Sequence, residues 1–295
     1  MAYTVTQKSA SSTALLEADY PIILTTNVIP DSTQLPRLDS DFSYGADEAD
    51  SDFPTINSYN GYTHSCTQLS SDNTSCEYYS HLDSETVDTI FVAMDSNITV
   101  NPTYSRIVIA DNSAMSTNTN VILYKVPGGS YPRYIYPFKN VGGTYNEVSS
   151  LIYWYYDQRY GSSVRHRFIE VWLGLRIQLS RKPLRPIDLK RNVVINKDFI
   201  SNGGIITRYS FNQGRRRTVL KFNTGNQTEL SQYESIWTQS NNGMNPIVFC
   251  EKPYSEPYNV GLYKIVNDKY EALLKGPFER DVYIELLEQG GSEVM

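Results

Sequence analysis

The sequence predicts a mainly β protein: a sandwich of short strands, then a second, mainly β unit that carries one helix. Three observations predict it. Runs of β-branched and aromatic residues recur at close spacing, each bounded by Asn, Gly, Pro or Ser, the pattern of short strands joined by turns. The chain holds 24 tyrosines in 295 residues, and tyrosine suits pleated, half-buried surfaces because its ring is apolar while its hydroxyl bonds water. Only one stretch repeats apolar residues convincingly at helical spacing.

Residues 1–60 are rich in Ser, Thr, Asp and Pro, with one apolar patch, YPIILTTNVI, and read as an extended acidic arm or a few irregular strands. Residues 61–180 carry the first sandwich. Its strands are Thr86–Met94, Ser105–Ala110, Asn120–Val126, Arg133–Phe138, Ser149–Tyr156 and Val164–Leu179. In the last of these Arg165, Arg167, Ile169, Val171 and Leu173 share one face, and His166, Phe168, Glu170 and Trp172 the other. Large residues on both faces predict a strand covered on both sides. Residues 181–200 begin with two prolines among basic residues and read as a basic linker.

Residues 201–295 form the second β unit. IITRYSF and RRRTVLKF read as two strands joined by a turn at NQG. A helix is predicted at about 228–239, with Thr228 as its N-cap and Leu230, Tyr233 and Trp237 on one face. Asn241, Asn242 and Gly243 end it. Strands NPIVFCE, VGLYKIV and RDVYIELLE follow; in the last, Val282, Ile284 and Leu286 face one way, and Tyr283 and Glu285 the other.

Charge is unevenly spread. Residues 1–100 hold 15 acidic and two basic residues, a net −13, whereas residues 159–221 hold 15 basic and three acidic, a net +12. Such a dipolar chain can attract its own copies, or its halves can pair within one monomer. The acidic run Leu38–Phe53 has aspartates at alternating positions, but Tyr44 and Asp50 stand where a calcium loop needs glycine and glutamate. No Cys or His spacing supports a metal site, so neither metal nor cofactor is expected. No phosphate loop, nucleophile elbow or HExxH motif is present, and the carboxylates cluster in the arm rather than on aromatic-bearing strands. No enzyme is expected. The start lacks the features of a signal peptide, and no apolar run approaches the ~20 residues of a membrane helix; synthesis in a cytosol with no membrane partner is expected.

The three arginines of SFNQGRRRTVLKF suggest nucleic acid at first. Strand alternation divides them: Arg216, Thr218, Leu220 and Phe222 share one face, and Arg215, Arg217, Val219 and Lys221 the other. With a net charge of −6, no nucleic-acid partner is expected.

Several segments together resemble a recurring unit of bacteriophage tail structural proteins. They are RYSFNQGRRRTVLKF, TELSQYESIW, MNPIVFCEKPYSEP, GLYKIV and DVYIELLE. TVDTIFVAMDSN and RHRFIEVWLG resemble a galactose-binding-like jelly roll. The resemblance spans roughly residues 80–290. It implies a jelly roll leading into a distal-tail or tail-tip-type β domain, and a non-enzymatic virion component of the baseplate, distal tail or tail tip. The implied partners are copies of itself and other tail proteins in a ring. Arg215, Arg217 and Lys221 are the expected basic contact, and Asp47 and Asp50 the acidic one. The alternative is a carbohydrate- or receptor-binding module acting on a host surface glycan, with Trp154, Tyr155 and Tyr156 as the binding aromatics.

Overall fold

A computed structural model describes residues 13–29, 67–68, 75–94, 105–110, 122–123, 133–138, 148–159, 167–184, 188–200, 206–267, 272–276 and 279–289. The fold is mainly β, and its sheets are antiparallel. A short helix, α1 (Thr13–Glu17), precedes β1 (Ile22–Leu24). Then come β2 (Thr67–Gln68), β3 (Ser75–Val87), β4 (Thr89–Met94), β5 (Ser105–Ala110) and β6 (Ile122–Leu123). They are followed by β7 (Arg133–Pro137), β8 (Val148–Arg159), β9 (Arg167–Gly174) and β10 (Ile177–Gln178).

Strands β2 to β9 form two four-stranded sheets, ordered β2-β9-β4-β7 and β3-β8-β5-β6. This interleaving is the winding of an eight-stranded jelly roll. The chain changes sheet between β3 and β4, at Asp88. There the Asp88 N–H donates to the Gly174 carbonyl at 3.1 Å and its carbonyl accepts from the Phe138 N–H at 2.8 Å. Its carboxylate accepts from the Arg176 N–H at 2.8 Å and lies 3.5 Å from the Arg176 guanidinium, both side chains being buried. A buried ion pair persists only where hydrogen bonds replace lost water, and these bonds fix the corner.

The second half adds β11 (Asp188–Ile200), β12 (Ile206–Thr224), α2 (Gln227–Gln239), β13 (Ile247–Cys250), β14 (Val260–Ile265), β15 (Ala272–Leu274) and β16 (Arg280–Glu288). With β1 and β10 these strands build one sheet ordered β10-β1-β13-β14-β16-β12-β11, and β15 continues along the β16 edge beyond β14. Asn267 closes the gap between β14 and β15. Its amide donates to the Tyr283 carbonyl at 3.3 Å, and its side-chain oxygen accepts from the Glu285 N–H at 2.6 Å.

Each face of the large sheet holds a core. On one, Tyr233 and Ile236 of α2 pack against Leu220, Phe222, Val282, Ile284 and neighbours. On the other, Ile22, Leu24, Val248, Cys250, Val260 and Leu262 meet Phe91, Ala93, Ile135, Ile169 and Trp172 of the jelly roll. Full burial of such side chains stabilises by roughly 1.5–3 kcal/mol each, so the two halves share a core. A buried ion pair, Arg133 with Glu288, also joins β7 to β16. Residues 26–28 finish the junction. The Val28 N–H donates to the Leu173 carbonyl at 2.8 Å, and Asn27 brackets β9 by bonding the Val171 carbonyl and the Leu173 N–H. Gly174 permits this approach, since a Cβ there would lie 2.6 Å from the Thr26 carbonyl oxygen.

Several boundaries differ from those expected. Within 1–60, residues 13–29 are a helix, an inner strand and an edge cap rather than an extended arm, because YPIIL is apolar enough to be buried between sheets. The jelly roll ends at Gly174, and β10 belongs to the large sheet. Of the expected linker 181–200, residues 188–200 form β11; the two prolines, Pro183 and Pro186, precede it, and basic residues are well tolerated on an edge strand. NQG is not a turn. Strand β12 runs through it, and the register with β11 shifts there, so the extra residues form a bulge. Helix α2 starts at Gln227, capped by Asn226 rather than Thr228. Asn226 Oδ1 accepts from the Glu229 N–H at 2.9 Å, and Glu229 reaches back to the Gly225 N–H at 2.6 Å.

Candidate functional site

The basic stretch around Arg215–Lys221 divides into two parts. Residues 217–224 of β12 pair with β16 in the large sheet, and 217–219 pair with β11 on the other edge as well. Leu220 and Phe222 are buried under α2, as alternation requires. On the opposite face the basic groups have partners within the chain. Arg217 pairs with Glu285. Lys221 reaches Asp281 at 2.9 Å, and Lys275 reaches the same carboxylate at 2.8 Å. Asn223 adds an amide bond to Asp281 at 3.3 Å, and the Lys221 ammonium lies 5.2 Å from the Tyr283 ring centre.

These contacts set the charges. Burial alone would raise the Asp281 carboxyl, but hydrogen bonds from Lys275, Lys221 and Asn223 outweigh it and hold it at about 2. The bond to Asp281, helped by Tyr283, lifts Lys221 to about 12. Both groups stay ionised across the neutral range. The expected outward ridge is therefore corrected in part: Arg217 and Lys221 are matched by β16 of the same chain, because cross-strand register brings Glu285 and Asp281 diagonally opposite them. The outward alternation of Tyr283 and Glu285 was the sequence signal for these partners, but only register could pair them.

Residues 206–216 form the second part. Among the described residues they pair with β11 alone, since the ladder with β16 begins at Arg217. Strands β11 and β12 thus leave the sheet as a two-stranded arm. Eleven residues of β12 outrun it, roughly 36 Å at about 3.3 Å per residue. Two register shifts, between Lys190 and Val193 and between Val193 and Ile195, interrupt its ladder. Residues 188–216 contain Lys190, Arg191, Lys197, Arg208, Arg215 and Arg216 against Asp188 and Asp198, a net +4. Arg215 falls at the arm's root, opposite Val193.

The other expected site residues are scattered. Asp47 and Asp50 lie outside the described residues. Trp154, Tyr155 and Tyr156 occupy the middle of β8, between β3 and β5, opposite Ser80, Tyr79 and Tyr78. Strand alternation puts positions 154 and 156 on one face of that sheet and 155 on the other, so the three do not share a face. Cys250 is buried and its thiol is pushed up by desolvation, which leaves it unreactive. Among the described residues no cluster of three or more His, Cys, Asp or Glu is placed to hold a metal. No described helix is long and apolar enough to cross a membrane.

The chain matches no known family model, no curated protein and no solved structure.

Proposed function

We propose that this chain is a non-enzymatic structural component of a phage tail, in the baseplate, distal tail or tail tip, where it joins copies of itself and other tail proteins in a ring. The projecting arm carries this reading. An isolated two-stranded ribbon is marginal in water, and edges that no described strand pairs are templates for another chain. A ribbon of this kind, roughly 36 Å at the rise of a regular strand, is better suited to reaching a neighbour than to enclosing a substrate. The shared core behind it supplies a rigid base, as an assembly joint requires. The resemblance read from the sequence over residues 80–290 supports the same assignment, and with it goes a proposal of synthesis in a host cytoplasm before incorporation into the virion.

The test is negative-stain electron microscopy of the purified full-length chain over a concentration series, with mass spectrometry of the proteins it co-purifies with in infected cells. Closed rings and tail-protein partners are expected. A monodisperse monomer at every concentration, with no tail protein attached, would refute the assignment.

A further inference from the structure

Two oppositely charged surfaces flank the large sheet. The first is the face of β12 and β16 turned away from α2. Leu262 of β14 is buried against the jelly roll, whereas Lys264, two residues on and so on the same face, is exposed. The cover of the jelly roll ends between them. Beyond it, register places Leu287 opposite Lys264, Tyr283 opposite Lys221, and the exposed Leu273 of β15 opposite Asp281. The single Asp281 carboxylate holds two ammonium groups, those of Lys221 and Lys275. With the Arg217–Glu285 pair and Lys264, this face carries four basic groups against two carboxylates, a net +2.

The second surface is the connection between β13 and β14, Glu251–Asn259, with the chain that follows α1. The Asp19 carboxylate accepts from the Tyr254 and Ser255 N–H groups at 2.9 Å each, and the Pro257 carbonyl accepts from the Ile135 N–H of β7 at 3.0 Å. Inside the loop the Glu256 N–H donates to the Lys252 carbonyl and the Asn259 N–H to the Glu256 carbonyl, both at 2.9 Å. The loop is thus fixed before any partner arrives, and it presents Tyr254 and Tyr258 as exposed rings. Tyrosines on a fixed backbone lose little freedom on binding and often dominate an interface. Glu17, Asp19, Glu251 and Glu256 against Lys182 and Lys252 give this surface a net −2.

Strand β16 keeps the Asp281 cluster and the loop apart. Asp281 stands at its start, whereas the Gln289 N–H, just past its end, donates to the Leu262 carbonyl at 2.8 Å, and the loop lies beyond that point. Nine residues of strand span roughly 30 Å at about 3.3 Å per residue, so the pinned loop is held away from the Asp281 cluster of its own chain. Like surfaces of two copies repel, and unlike ones attract. Two different complementary patches on one chain make a head-to-tail contact, which closes into a ring or runs on as a filament.

We propose that the Glu251–Asn259 loop of one copy docks on the β12–β16 face of a second copy, its carboxylates meeting the surplus lysines and its tyrosines meeting Leu273 and Leu287. The docking rests on the assembly reading above and names the contact between copies.

Two charge-reversal variants of the full chain test it by sedimentation velocity. The first, K264E/K275E, reverses the sheet face; the second, E17K/E251K, reverses the loop surface. Each alone is expected to lose self-association while keeping the wild-type melting temperature. An equimolar mixture is expected to regain it, because each reversed surface then meets its opposite. Should either variant melt below wild type, the single substitutions Lys264→Glu and Glu17→Lys, both at exposed positions, take their place; weakened association that mixing restores supports the docking, and unchanged association refutes it. A mixture that stays monomeric overturns the proposal, since the two surfaces are then not each other's partners. So does a sheet-face variant that assembles as wild type but drops another tail protein from the co-purified set, because the face then serves that protein. If wild type and both variants assemble alike, or if wild type attaches to tail proteins but never to itself, the docking fails and the assembly reading stands. A wild-type chain that never associates and attaches to no tail protein removes both.

Discussion

The Arg133–Glu288 pair lends itself to a quantitative test of how the halves are joined. Arg133 begins β7 of the jelly roll and Glu288 ends β16 of the large sheet. The Glu288 side chain is fully buried and that of Arg133 is 13 % exposed. Removing one member of a buried pair leaves the other charge in a medium that solvates it poorly, typically at a cost of about 3–5 kcal/mol. Arg133 keeps some access to water, so about 3 kcal/mol is expected for Arg133→Ala. At roughly 2–4 °C per kcal/mol for a chain of this size class, the melting temperature should fall by roughly 6–12 °C. Replacing both residues, as Arg133→Met with Glu288→Leu, removes the stranded charge and should return stability to within about 1 kcal/mol of wild type. The assay is a double-mutant cycle by differential scanning calorimetry, following jelly roll and large sheet as one transition. If the double variant is as unstable as the two single losses summed, the pair is not coupled and the reasoning fails. Two separate transitions in the wild type would equally refute the shared core.

Two further outcomes are expected. Gly243 has φ +79°, and a Cβ there would lie 3.1 Å from the Ile265 carbonyl oxygen; Gly243→Ala should cost about 1–2 kcal/mol in urea denaturation through left-handed strain and crowding. The Asp281 carboxyl is held at about 2, below its ordinary 3.8, so its contribution to stability is full above about pH 4 and is lost as pH falls toward 2. Thermal melts of Asp281→Asn should therefore show a flatter decline across that window, and a decline as steep as wild type would count against the cluster.

The strands were legible because burial imposes a period on them. Ser105–Ala110 matches β5 at both ends, and the alternation of Val282, Ile284 and Leu286 matches the buried face of β16. Helix α2 was legible from Leu230, Tyr233 and Trp237, although its cap lies two residues earlier, since both Asn226 and Thr228 have the chemistry of a cap. What escaped was long-range pairing. Nothing local in YPIIL says that β1 lies between β10 and β13. The basic composition of residues 188–200 hid β11, because an edge strand need not show an apolar alternation. The partners of Arg217 and Lys221 depend on register, which a sequence fixes only through the whole sheet.

The place of β1 has a consequence for synthesis. Its inner neighbour, β13, begins at Ile247, more than two hundred residues after Leu24. A ribosome therefore completes the jelly roll long before the strands that cover it exist. Until β13 and β14 emerge, Phe91, Ile135 and Trp172 have no covering layer, and β1 lacks its inner neighbour. Contacts so distant along the chain form late, and such an uncovered apolar face invites chaperones or aggregation. Truncations that stop before Ile247 should accordingly be insoluble, even though all the jelly-roll strands are present.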